Sequence, residues 1–159
     1  MFKKQTEKLV IAAVLMFGLT TAMTAAENTK EGAHKTIHHG CLNAIGSCEN
    51  GHAEVIIDGN TMKLWFVGGG ADTDKSVRIG DNEITLTVTF EGQKTAVEKL
   101  VLAAKPDELA EEKVGDCSSF EGSAEWLKNA GKFVAVATIK FKGKSRTLRI
   151  EYPNGYDPD

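Results

Sequence analysis

Glu83-Ile84-Thr85-Leu86-Thr87-Val88-Thr89-Phe90 is the segment on which the fold assignment turns. Ile84, Leu86, Val88 and Phe90 alternate with Thr85, Thr87 and Thr89, the period-2 pattern of a strand with one buried and one wet face. Gly80-Asp81-Asn82 and Glu91-Gly92 bracket it with residues that tolerate positive φ and close hairpins. The same grammar recurs on both sides. Upstream stand Ala53, Val55 and Ile57, the turn Asp58-Gly59-Asn60, then Met62, Leu64 and Phe66; downstream come Ala96 to Ala103, the inward set Phe133, Ala135, Ala137, Ile139 and Phe141, and, after Gly143, Leu148, Ile150 and Tyr152. About seven short strands with such turns predict an all-β domain, an antiparallel β-sandwich of Ig-like shape, with a barrel as the rival. One or two short helical insertions interrupt the series. Pro106 to Lys113 has Pro near its start and Gly115 just beyond it, and Ser123 to Asn129 offers Trp126 and Leu127 as a buried side. Trp65, Phe66, Phe90, Trp126, Phe133 and Phe141 read as core aromatics, and Glu111, Glu112 and Lys113 as a solvated helix face.

The chain begins with a stretch of different character. Lys3, Lys4 and Lys8 precede an apolar run of 11 residues, Leu9 to Leu19, and Thr24-Ala25-Ala26 has the small side chains of a cleavage site, so residues 1–26 read as a secretory signal peptide. The run falls short of the roughly 20 residues a membrane-spanning helix needs, which predicts no stable insertion after cleavage. Residues 27–51, rich in His, Cys, Gly, Asn and Ser, read as a flexible N-terminal segment, and 52–155 as the β-sandwich domain. The expected location is periplasmic or secreted. Without the leader the chain has 16 basic and 21 acidic side chains, a net charge of −5 against −3 for the whole sequence. Mild acidity with no basic cluster gives phosphates no footprint and argues against a nucleic-acid partner.

Function is concentrated in one window. His34, His38, His39, Cys41, Cys48 and His52 hold all four histidines and two of the three cysteines. Imidazole and thiolate are the donors of zinc and copper, and His52 at the start of the first strand is a fixed point for a segment that folds back. His38, His39, Cys41, Cys48 and His52 are therefore the expected ligands of a transition metal ion, copper or zinc, with binding expected to weaken below a pH of about 6 to 7 as imidazoles protonate. The competing reading is an oxidised pair. Three cysteines in an exported chain allow one disulfide, in any of three pairings, and a stapled domain would serve as a structural or interaction module docking on an envelope protein partner with no metal role. Cys117 reads as a half-buried bystander.

Enzymatic motifs are missing. The chain has no Gly-x-Ser-x-Gly elbow, no His-Glu-x-x-His and no dinucleotide fingerprint. Gly68-Gly69-Gly70 lacks the Lys-Ser/Thr of a phosphate loop and reads as a turn. A Cys-His nucleophile from Cys41 or Cys48 with His52 would need a base held by rigid structure. The expectation is a binding protein, not an enzyme.

His38-His39-Gly40, Ala53-Glu54-Val55-Ile56-Ile57, Phe120-Glu121-Gly122 with Ala124-Glu125-Trp126-Leu127, Phe133 to Ile139, and Glu151-Tyr152-Pro153 together resemble small exported bacterial β-sandwich proteins with an N-terminal His-Gly element. These in turn resemble accessory domains of heavy-metal efflux systems. The resemblance implies a sandwich fold and metal handling or partner docking in the envelope; it departs at Cys41, where the pattern has Gly after His-Gly.

Overall fold

A computed structural model describes residues 34–158. The expected signal peptide, 1–26, and the first part of the expected flexible segment lie outside the described residues. Eight strands follow one another: β1 (Cys41–Ile45), β2 (Ser47–Asp58), β3 (Thr61–Val67), β4 (Glu83–Phe90), β5 (Glu98–Ala104), β6 (Ser119–Ser123), β7 (Phe133–Phe141) and β8 (Lys144–Tyr152). They form one antiparallel sheet in the order β1-β2-β3-β6-β5-β4-β7-β8. The protein is all-β and antiparallel, as the alternation predicts.

The sheet curls until its two edges meet. Past β8 the chain runs alongside β1, where the Ala44 N–H donates to the Tyr156 carbonyl at 2.7 Å and the Tyr156 N–H to the Leu42 carbonyl at 3.1 Å. Asn43, fully buried, reaches across the same seam, its Oδ1 accepting the Glu151 N–H at 2.8 Å. An open edge is thereby nearly abolished.

Alternation sets the core. On β4 Ile84, Leu86 and Val88 are buried while Thr85 and Thr87 face water, and Met62, Leu64, Phe66, Ile139, Leu148 and Ile150 fill the interior from the other walls. Each such side chain contributes about 1.5–3 kcal/mol by leaving water. Phe66 packs against Phe120 and Phe141, with ring centroids 5.7 and 5.9 Å apart.

Three expectations need correction. Residues 41–51 are not a loop: β1 and the first part of β2 lie in the sheet, because Ala44 and Ile45 are core residues and β1 pairs with β2 from Cys41↔Val55 to Ala44↔His52. The expected seven or so strands are eight, and β6 is one that the alternation reading does not include. Gly122 stands there because β5 comes too close for a side chain; a Cβ would overlap the Val101 carbonyl. Finally, the predicted helix at Pro106 to Lys113 is a single 3₁₀ turn, Glu108–Ala110, ended by Glu111 at φ 55°. Glu112 then turns inward rather than facing solvent: its carboxylate accepts the Ser118 hydroxyl at 2.7 Å, the Ser118 N–H at 3.2 Å and the Asp107 N–H at 3.1 Å. The second insertion is a 3₁₀ turn too, Glu125–Asn129, with Leu127 buried as expected and Trp126 edge-on to Phe90 and Phe133. Among the described residues no helix is long and apolar enough to cross a membrane.

Candidate metal centre

The site begins with an irregularity of β2. Ala44 pairs with His52, but its neighbour Ile45 pairs with Ser47, so residues 48–51 form an excursion from the ladder. Its shape is held by Asn50 Nδ2 on the Ser47 hydroxyl at 2.9 Å and by the Lys142 ammonium on the Asn50 carbonyl at 2.6 Å. On a regular strand, Cys48 and His52 would stand about 13 Å apart. The excursion brings them together instead. One donor atom each from His34, Cys48 and His52 lies within 4.8 Å of the others, a grouping that could hold a metal ion.

Both imidazoles are oriented by the same turn. His52 Nδ1 bonds the Gly68 carbonyl at 3.2 Å and His34 Nδ1 bonds the Gly70 carbonyl at 3.0 Å. A carbonyl oxygen only accepts, so each Nδ1 carries the proton and each Nε2 keeps its lone pair for another partner. Backbone carbonyls fix metal-binding histidines in this way. His52 Nε2 is buried with no hydrogen-bond partner, an orphaned acceptor of the kind a cation would satisfy. Burial holds the His52 imidazole below its ordinary pKa, against the Gly68 carbonyl that raises it, which favours the neutral, ligating form. The rings of His34 and His52 lie 4.6 Å apart. Gly68-Gly69-Gly70 is a turn, as predicted, and its glycines let it sit this close: a Cβ on Gly69 would fall 2.6 Å from the Cys48 carbonyl and overlap that of Glu49. An open cleft of about 650 Å³ borders the site at His34, with Glu49 and Asp74 among its walls.

Of the five ligands expected from sequence, the structure brings Cys48 and His52 together and sets the other three apart. His38 is engaged elsewhere, stacked on Trp65 with centroids 3.9 Å apart and planes within 9°, its Nδ1 2.9 Å from Glu54 Oε2. His39 is exposed at φ 62°. Cys41 stands directly opposite Val55, so it shares the inner face of the sheet, and it packs against the core while His52 points to the outer face. Burial pushes its thiol up, against the hydrogen bond from Asn43. Trp65, expected in the core, lies instead on the outer face beneath His38. Cys117 is fully buried rather than half-buried.

His34, absent from the expected ligands, reaches the site through a strap, residues 34–40, laid over β2 and β3. Its anchor is Glu54. That wholly buried carboxylate accepts the N–H of Ile37 at 3.2 Å and those of His38 and Gly40 at 2.9 Å each. Burial pushes the Glu54 carboxyl up, but the Gly40 N–H and the bonds from His38 outweigh it and hold it below the ordinary glutamate value. Glu54 sits two residues past His52 on the outward face, within the otherwise apolar run Ala53-Glu54-Val55-Ile56-Ile57, a sequence signal that something covers that face. Comparison of the chain with protein-family models, curated proteins and solved structures finds no match.

Proposed function

We propose that the protein binds a transition metal ion, zinc or copper, through His34, Cys48 and His52, and that it is an exported metal-handling protein acting as chaperone, buffer or efflux accessory. The observation that carries this reading is the pair of histidines whose Nδ1 atoms are tied to carbonyls of one glycine turn, with the buried Nε2 of His52 left without a partner beside the Cys48 thiol. Two imidazoles and a thiolate suit borderline and soft ions, whereas calcium and magnesium take oxygen donors. Export rests on residues 1–26, and the efflux association on the sequence resemblance. Binding is the role proposed, because the unpartnered Nε2 of His52 converges with the Cys48 thiol and a second imidazole on one point.

The test is equilibrium titration of purified, reduced protein with zinc and copper. One ion per chain is expected, with stabilisation of about 2.7 kcal/mol at a free-ion concentration a hundred times Kd. His34→Ala, Cys48→Ser and His52→Asn should each abolish the gain in melting temperature, and His38→Ala and His39→Ala should retain it. No uptake by the wild-type chain overturns the reading.

A further inference from the structure

The last described residues of the chain return to the same place. Tyr156 forms a parallel bridge to Asn43 on β1, and this pairing delivers Asp157 to the excursion of β2. There the Cys48 thiol donates to Asp157 Oδ1 at 3.0 Å. In a tetrahedral site with a metal–sulfur distance of about 2.3 Å and a metal–oxygen distance of about 2.1 Å, sulfur and oxygen stand roughly 3.5 Å apart. Asp157 is exposed and stands outside the His34–Cys48–His52 grouping, so the tail must also draw in toward the imidazoles for its carboxylate to bind.

We propose that Asp157 is the fourth ligand of the ion held by His34, Cys48 and His52, and that the ion is divalent and clasps the seam between β1 and the tail past β8. This rests on the metal-binding reading above. Charge supports it. Binding releases the Cys48 proton to solvent, and the resulting thiolate, together with the Asp157 carboxylate and two neutral imidazoles, neutralises a divalent ion; a monovalent ion would leave a net negative charge beside a buried histidine. In the absence of the ion the thiol keeps its proton, and its hydrogen bond to Asp157 keeps two anions from facing one another. The four donors come from three places: the strap supplies His34, the β1–β2 hairpin Cys48 and His52, and the tail past β8 Asp157. One ion thus joins both sides of the line where β1 and the tail meet.

Cobalt(II) reports on this directly, since its visible spectrum distinguishes four-coordinate sites and shows a thiolate charge-transfer band. The full chain, reduced, is titrated with Co(II), then displaced with Zn(II), for wild type, Asp157→Asn and Asp157→Ala; melting curves without metal check that the variants fold as the wild type does. The expected result is a four-coordinate spectrum in the wild type, an affinity lower by on the order of 10- to 100-fold in both variants, and an altered ligand-field spectrum. Cobalt should also protect the wild-type tail from carboxypeptidase and leave the tails of the variants open. Unchanged affinity and spectrum in both variants overturn the assignment of Asp157 while leaving the three-ligand site standing. Failure of the wild type to take up cobalt or zinc overturns the site itself.

Discussion

Single residues decide whether the site exists. Gly69 is the clearest case, because its missing Cβ lets the turn approach the Cys48 and Glu49 carbonyls and so places the Gly68 and Gly70 carbonyls under the two imidazoles. Gly69→Ala should cost about 1–3 kcal/mol through overpacking and weaken metal binding although no ligand is changed; chemical denaturation and a zinc titration of the same preparation measure both. The cysteines should divide by reactivity. Burial raises the thiols of both Cys41 and Cys117, so at neutral pH both are protonated and slow to alkylate, and labelling of Cys41 should rise only as pH climbs above the ordinary thiol value. Cys117, with no exposed surface, should label only on unfolding. Mass spectrometry after iodoacetamide treatment across alkaline pH checks the order.

At the scale of elements, the strap and the excursion of β2 separate what a sequence can disclose from what it cannot. The strands β4, β7 and β8 follow directly from period-2 alternation, because each has one apolar and one wet face and needs no other information. β2 yields only half to the same reading, its inner face of Ala53, Val55 and Ile57. Both its faces are covered, the inner by the core and the outer by residues 34–40, so Glu54 and His52 are buried on what alternation marks as the wet side. The composition of the window from His34 to His52 announces metal chemistry, but the pairing of donors depends on four residues leaving the ladder and on a glycine turn some twenty residues downstream. Neither is a local property. Hence Cys48 and His52 could be named from sequence while His34 took the place of His38, His39 and Cys41. Glu54→Gln should release the strap: the amide keeps one accepting oxygen where the carboxylate serves four donors, and the loss is about 2–3 kcal/mol. Quenching of Trp65 fluorescence by an added solute, weak in the wild type and strong in the variant, reports the release.

The whole molecule behaves as a sheet whose closure depends on few contacts. β4, at the centre of the wall formed with β5 and β7, carries the bulk of its stability in residues such as Leu86, and Leu86→Ala should cost about 2–5 kcal/mol. The seam is different. Asn43→Ala removes one buried amide that joins β1 to β8 and leaves the Glu151 N–H unpaired, a cost of about 1–3 kcal/mol. Hydrogen exchange should show the damage confined to the amides of Ala44, Tyr156 and Glu151, with β4 and β7 as protected as before.

The neighbourhood of His34 and Asp157 has a practical corollary for anyone handling this protein. His34 and Asp157 both approach Cys48, so a polyhistidine tag joined next to either residue would compete for the same ion and confound every titration. Circular permutation avoids this. A short linker bridging residues 34 and 158, with new termini cut at the β2–β3 turn around Gly59, at the other end of β2 from His52 and where even an added Cβ would meet no neighbour, leaves the donors in place and moves the purification handle away from them.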